Sequence, residues 1–345
     1  MFPLAFPLRV LSRARKADLV LDPFCGRGTT NYAARLMGLE SVGVDSSPVA
    51  AAITASKLID PTPFAIVTEA RAILSSDVSN AVPTGDFWKW AFHPRTLSDL
   101  CTLREVFLSD CSSPVRTALR GIILGALHGP RQKTSPSYFS NQSPRTYAPK
   151  PAYAVRFWRD RNLEPPHVDL LDVIQRRANR YYSSRPQALG VARLGDSRTP
   201  AAVAPLATRF SWIVTSPPYY GMRTYLPDQW LRNWFLGGPS EVDYGTLGQL
   251  NHSGPEVFAS DLRKVWKNGR VSSADGARLV IRFGGIADRS ANPHDIIMSS
   301  LKDTGWHPQT VKAAGSASDG KRQANSFLRH RSVPIEEFVV WARAA

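Results

Sequence analysis

The chain has 345 residues, 43% of them hydrophobic, enough for one large domain or a domain carrying a sizeable insertion. Lys and Arg number 43 against 28 Asp and Glu, a net charge of +15, which favours a polyanionic partner. Mean hydropathy is −0.22 with no apolar run long enough to cross a bilayer, and the three Cys at 25, 101 and 111 form neither a CxxC pair nor a Cys/His cluster, which argues against a helical membrane protein, a zinc site and a disulfide framework.

The N-terminus, MFPLAFPLRV, has no basic segment before its apolar stretch and no small-residue cleavage site, so no secretory signal is expected and the location is read as cytoplasmic. Leu19 to Leu21 reads as a strand, and Asp22-Pro23-Phe24-Cys25-Gly26-Arg27-Gly28-Thr29-Thr30 as a Gly-rich turn. A helix is expected over 31–37, closed by Gly38, then a strand over 41–44 that ends at Asp45. Ser46-Ser47-Pro48 starts a helix, with a Ser as its cap and Pro in its first turn, that continues through the Ala-rich run to Leu58. This β-α-β-α unit begins a doubly wound sheet.

The pattern changes between about 60 and 194. Helices are expected over 87–108, 115–127 and 169–182, with the Pro/Ser/Tyr/Arg-rich stretch 128–161 too turn-rich for a long helix. The sheet is expected to resume at Gly195-Asp196-Ser197-Arg198, and 210–214 is a strand leading into Thr215-Ser216-Pro217-Pro218-Tyr219. Helices follow over 226–235, 257–265 and 294–303, with strands over 277–283, 306–311 and 338–341; the last two pair as a hairpin. Trp230 and Trp234, at i, i+4 spacing, are expected to pack rather than line a pocket, and His93 and His128 are read as structural.

Ligands of doubly wound sheets lie beyond the carboxyl ends of the strands. Gly26 and Gly28 let backbone approach a ligand closely, and the N–H groups around Thr29 and Thr30 open a helix that can hold an anionic group. An acid at Asp45 can accept from two ribose hydroxyls. Asn31 stands where a dinucleotide-binding GxGxxG needs its third Gly.

Asp22-Pro-Phe-Cys-Gly-x-Gly-Thr-Thr30 resembles the S-adenosylmethionine (AdoMet) motif of amino-group DNA methyltransferases, and Gly43-Val44-Asp45-Ser46-Ser47-Pro48 is similar to that family's acidic second motif. The resemblance implies a Rossmann-like class I methyltransferase fold: a doubly wound sheet of about seven strands ending in an antiparallel hairpin, with a mainly helical insertion. The catalytic domain is placed at 1–60 and 195–345 and the insertion at 61–194. The implied cofactor residues are Phe6, Pro7, Asp22, Phe24, Gly26, Gly28, Thr29, Thr30, Asp45, Ser46, Asp196 and Thr215, with AdoMet as cofactor and no metal. Phe6-Pro7 looks like the Pro-containing segment that covers the methionine end, and Gly195-Asp196 lies where relatives place Gly-Asp near the adenine ring.

An exocyclic base amine is a poor nucleophile because its lone pair is delocalised into the ring. A hydroxyl and a carbonyl that accept its two hydrogens can localise that lone pair, by positioning and electrostatics. Ser216 Oγ and the Pro217 carbonyl supply two such acceptors, Pro217-Pro218 stiffens the loop, and Tyr219 can stack on a flipped base. TSPPY resembles the family's catalytic motif, and its Ser form with a preceding Thr is similar to cytosine-N4 enzymes. The resemblance implies Ser216, Pro217, Pro218 and Tyr219 as catalytic loop, and cytosine N4 as acceptor ahead of adenine N6.

Six basic residues and as many aromatics fall between 131 and 160. The DNA-binding candidates are Arg131, Lys133, Arg145, Tyr147, Lys150, Arg156 and, beside the catalytic loop, Arg223. Duplex DNA is the expected partner, with a cognate restriction enzyme as a second. Two other readings stand: an RNA guanine-N2 methyltransferase, and an AdoMet-responsive DNA-binding protein without catalysis.

Overall fold

The computed structural model describes residues 2–76, 81–129, 136–141, 150–184, 186–187, 190–222, 225–245, 248–285, 291–316 and 336–345. The chain divides into two compact units: residues 1–58, 186–223 and 246–345 form the first, residues 59–185 and 224–245 the second.

The first unit opens with α1 (Ala5–Leu11), β1 (Val20–Asp22), α2 (Thr29–Leu36), β2 (Ser41–Asp45) and α3 (Pro48–Ser56). The second unit carries α4 (Pro63–Leu74), α5 (Asp86–Ala91), α6 (Pro94–Ser109), α7 (Pro114–Ala126), α8 (Pro151–Arg159) and α9 (Leu170–Tyr182). The chain returns to the first unit with β3 (Val191–Leu194), a short 3-10 turn at Pro200–Val203 and β4 (Phe210–Thr215), then gives α10 (Tyr225–Asp228) and α11 (Trp230–Phe235) to the second. It ends in the first with α12 (Pro255–Val271), β5 (Ser273–Gly284), α13 (Pro293–Leu301), β6 (Trp306–Ser316) and β7 (Glu336–Ala344).

Among the described residues the sheet has seven strands in the order β3-β2-β1-β4-β5-β7-β6. The first five run parallel, while β7 is antiparallel to both β5 and β6. This is the expected class I methyltransferase sheet, closed by its antiparallel hairpin. Successive strand residues face opposite ways, and the sequence fills both faces. Leu19, Leu21, Ile213, Leu279, Ile281 and Val340 point into a layer with Phe258, Leu262 and Trp266 of α12 and Ile297 of α13. Val20, Trp212, Val214, Val280 and Val339 point the other way, onto Phe6, Val10 and Leu11 of α1 and Ala33 and Ala34 of α2.

The insertion differs from its expected bounds of 61–194. Val191–Leu194 pairs in parallel with Val42–Asp45 and so belongs to the sheet, which resumes before Gly195 rather than at it. Residues 224–245 join the second unit instead of the first. The physical reason is aromatic packing: Trp230 lies 4.7 Å from Phe87 and Trp234 lies 4.5 Å from Trp88, ring centre to ring centre. Both tryptophans are buried, as expected. In the first unit, buried Arg35 of α2 joins the chain on either side of the excursion. It donates to the Lys57 carbonyl at 2.6 Å and to the Pro186 carbonyl at 2.7 Å.

Candidate active site at the strand ends

β1 and β4 are neighbours, with Leu21 opposite Ile213, so Asp22 ends one strand beside Thr215 at the end of the other. The Thr215 hydroxyl donates to Asp22 Oδ1 at 2.6 Å, and the Thr30 hydroxyl donates to the Val214 carbonyl at 3.1 Å. Asp22, Thr30 and Thr215 are all buried. The two bonds tie the DPFCGRGTT turn to the residue before Ser216. Thr215 and Asp22, both expected among the cofactor residues, form the junction between the Gly-rich turn and the SPPY loop.

The turn is shaped by its two glycines. Gly26 has φ +52, and Gly28, the residue before α2, has φ +69. Both are left-handed values that other residues adopt at a cost. Gly28 N–H donates to the Cys25 carbonyl at 2.7 Å, and the helix then opens with Thr29 and Thr30, whose first-turn N–H groups are free of helical partners. Lys57 donates its ammonium to the Arg27 carbonyl on the outer side of the turn.

Asp45 ends β2. Its Oδ2 accepts the Gly26 N–H at 2.9 Å and its Oδ1 accepts the Ser47 N–H at 2.9 Å. Each oxygen keeps a second lone pair, so the carboxylate is oriented and still able to accept from a diol. Burial raises the Asp45 pKa, opposed by those two N–H donors. Ser46 next to it is exposed, and Ser47 caps α3 by accepting the Ala50 N–H. Phe24 is half-buried, edge-on to Trp266 at 6.2 Å.

Asp22 carries the largest consequence for pH. Burial pushes its carboxyl up to about 6, with the Asp45 charge adding to the rise and hydrogen bonds from Thr215, Thr30 and the Phe24 N–H opposing it. A folded pKa above the usual 3.8 means that the native state holds this proton more tightly than the unfolded one. The stabilisation is fully present below 3.8 and is lost as pH rises through about 6. At 1.36 kcal/mol per unit, this amounts to about 3 kcal/mol. Asp22→Asn keeps an oxygen acceptor and lacks the charge. Its melting temperature is expected to gain on the wild type as pH rises from about 4 to 7, as followed by thermal unfolding across that range. A difference that stays constant with pH contradicts the assignment.

Two groups of expected cofactor residues have protein partners of their own. Asp196 is occupied by Arg198, whose guanidinium donates to both carboxylate oxygens at 2.6–3.0 Å and extends to Asp261 at 2.8 Å. Burial would raise the Asp196 pKa, but the Arg198 bonds win and lower it. A purine amine at Asp196 therefore has to compete with a bidentate ion pair. The segment is still tied to the site: the Gly195 N–H donates to the Asp45 carbonyl and the Ser197 hydroxyl to the Pro23 carbonyl. Phe6 and Pro7 lie in α1 and are buried, Phe6 edge-on to Phe2 at 5.0 Å and part of the core layer on that face of the sheet.

In the SPPY loop, Pro217 is buried while Ser216, Pro218 and Tyr219 are half-buried. Beyond it, the Gly221 N–H donates to His252 Nδ1 at 2.9 Å. The Tyr219 hydroxyl donates to Glu337 Oε1 at 2.7 Å, and the ring meets Phe283 edge-on at 5.6 Å. Glu337 was not singled out from the sequence. The available signal was opposite charges inside two apolar strands, Arg282 in LVIRFG and Glu337 in EEFVVW.

Residues 1–56 match the family model N6_N4_Mtase, described as DNA methylase. That segment is similar to the DNA methylases the model describes. It runs from α1 through Asp45 to the end of α3. No curated protein matches the chain. Among solved structures, the chain is similar to the rRNA methyltransferase AviRa from Streptomyces viridochromogenes, at 14% identity and a TM-score of 0.34, covering 100% of this chain and 86% of that one. It is similar to a SAM-dependent methyltransferase from Methanosarcina mazei, at 9% identity and 0.37, covering 100% and 98%. A geranyl diphosphate methyltransferase in complex with SAM gives 10% identity and 0.38, covering 99% and 84%. Identities this low assign no substrate.

Of the DNA-binding candidates in the second unit, Lys150 precedes α8 and Arg156 lies in its last turn, both exposed. The same helix exposes Tyr153, while Ala154, Val155 and Trp158 face inward. Arg159 pairs with Asp86 at 2.8 Å, and Arg161 stands 4.3 Å over Phe157. Arg131, Lys133, Arg145, Tyr147 and Arg223 lie outside the described residues. His93 caps α6, accepting the Arg95 N–H, and His128 is buried. Among the described residues no cluster of His, Cys, Asp and Glu has the form of a metal site, and no helix is long and apolar enough to cross a membrane.

Proposed function

We propose that the chain is an AdoMet-dependent methyltransferase that modifies the exocyclic amine of a flipped-out base in duplex DNA, cytosine N4 ahead of adenine N6. The observation that carries this reading is the hydrogen-bonded junction of Asp22, Thr215, Thr30 and Val214, which fastens the methylase-type turn to the SPPY loop. The residues present fit the cofactor. Asp45 retains acceptor capacity for a ribose diol, and a Cβ on Gly26 would meet no more than the Phe24 carbonyl at 4.0 Å, so backbone can approach a ligand there. Gly26, Gly28, Thr29, Thr30, Asp45 and Ser46 would hold it, and bound there it supplies the methyl group.

The rest is the work of this chain's own groups. Ser216 Oγ and the Pro217 carbonyl accept the two amine hydrogens and localise the nitrogen lone pair. Pro217 and Pro218 fix two φ angles, so the acceptors are set before the base arrives. Tyr219 presents a ring for stacking. No general base is required: the amine loses its proton to water once the new N–C bond has made it acidic. The net charge of +15 and the basic, aromatic face of α8 supply phosphate contacts.

Methyl-labelled AdoMet offered with an equimolar mixture of duplex DNA and tRNA tests the reading. Label is expected in the DNA. Label confined to tRNA overturns the DNA assignment, and AdoMet binding without transfer to either overturns catalysis.

A further inference from the structure

Tyr219 does not hang freely at the end of its loop. Its hydroxyl donates to Glu337 Oε1 at 2.7 Å, while Glu337 Oε2 accepts Arg282 Nε at 2.8 Å and pairs with the same guanidinium again at 2.6 Å. Glu337 is 1% exposed and Arg282 9%. Both lie on the face of the sheet that also carries Val280 and Val339, and the Arg282 guanidinium stands 5.4 Å over the Phe6 ring. In the β5–β7 ladder Glu337 is opposite Gly284, which has no side chain, so the end of β5 places no bulk beside the carboxylate. Phe283, on the opposite face, meets the Tyr219 ring edge-on. The ring is therefore held at two points, its tip by a charged acceptor and its edge by an aromatic.

We propose that Glu337, braced by Arg282, is a positioning residue that fixes the plane of the Tyr219 ring before the base enters. The inference rests on the SPPY loop being the amine-positioning loop. A buried carboxylate paired with a guanidinium is costly to leave incomplete, so the pair holds its place, and the phenol bonded to it is held likewise. A base stacked on a ring of fixed plane meets Ser216 and Pro217 in one orientation. A phenyl ring in its place keeps the stacking surface and loses the tether. The effect then falls on turnover, because geometry at the reacting nitrogen matters more to the transition state than to binding.

The test is a double-variant cycle on the full chain with Tyr219→Phe, Glu337→Gln and both together. It reads kcat and KM for DNA, AdoMet affinity by equilibrium binding, and melting temperature. Tyr219→Phe removes one hydroxyl and leaves the Arg282–Glu337 pair intact, which keeps the fold. The expected result is a kcat lowered about 10- to 100-fold by Tyr219→Phe, with KM and AdoMet affinity changed less than about 3-fold. Once Tyr219→Phe is present, Glu337→Gln is expected to lower kcat no further. An unchanged kcat in folded Tyr219→Phe overturns the inference and leaves the function standing, as do losses that simply multiply in the double variant. A wild type inactive on DNA and RNA overturns the function and this inference with it.

Discussion

Ser216→Ala is expected to lower methyl transfer at least about 100-fold while the protein stays folded and binds AdoMet normally. The residue before Ser216 is anchored: Thr215 is fully buried and its hydroxyl is committed to Asp22 at 2.6 Å. The residue after it is a buried proline with a fixed φ. Ser216 sits between these constraints, half-buried, with its side chain held where neighbouring backbone puts it. Alanine preserves the backbone and removes one acceptor. An amine whose lone pair is to be localised loses one of two partners, and a single preorganised hydrogen bond of this kind is worth about 100- to 1,000-fold in rate. Initial rates at saturating AdoMet and DNA check this, with circular dichroism and AdoMet binding as controls. A variant within about 3-fold of the wild type removes Ser216 from the mechanism.

Gly28→Ala is expected to cost about 2–5 kcal/mol of stability and most of the AdoMet affinity. Gly28 has φ +69, and a Cβ there would lie 2.8 Å from both Cγ2 and Oγ1 of Thr54. Thr54 is fully buried, donates to the Gly26 carbonyl at 3.1 Å and receives the Cys25 thiol at 3.6 Å, so it yields only by breaking the turn that it braces. That turn presents the N–H groups of Thr29 and Thr30. Gly38 is the built-in comparison: its φ is also +69, but a Cβ there would meet nothing within 4 Å. Gly38→Ala should show the backbone cost alone, about 1–2 kcal/mol, with AdoMet binding intact. Urea unfolding and equilibrium AdoMet binding of the two variants make the comparison. Equal losses in both would mean that contact with Thr54 is not what requires Gly28.

Much of this arrangement was legible in the sequence because it is local. The Gly-rich turn marked the start of α2, and Ser47-Pro48 marked the start of α3, where the Ser47 side chain accepts the Ala50 N–H as a cap. Strands β1, β4 and β5 announced themselves by apolar runs buried on both faces. Proline misled in two places. The expected single helix over 87–108 is broken at Phe92-His93, because Pro94 begins a new helix that His93 caps. Pro151, read as part of a turn-rich stretch, sits in the first turn of α8, where its missing N–H costs nothing.

What escaped was non-local. β3 is an edge strand that is exposed or half-buried throughout, so it has no hydrophobic alternation to read and is defined by pairing with β2. Asp196 had the right place in the chain for a ligand contact and pairs locally with Arg198, but the second ion pair that holds Arg198 there comes from Asp261 of α12. The Thr215–Asp22 and Tyr219–Glu337 bonds join residues far apart in sequence, and they are what turn a recognisable loop into a positioned one.

The central claim is that Thr215 to Tyr219 orients an exocyclic base amine for methylation in DNA. Mass spectrometry of nucleosides from the DNA of cells expressing the wild type, beside cells expressing Ser216→Ala, tests it most directly. The account predicts N4-methylcytosine in the first DNA, with N6-methyladenine as the second-ranked product, and neither in the second. Equal methylation from both proteins, or no methylated amine from an AdoMet-binding wild type, would contradict it.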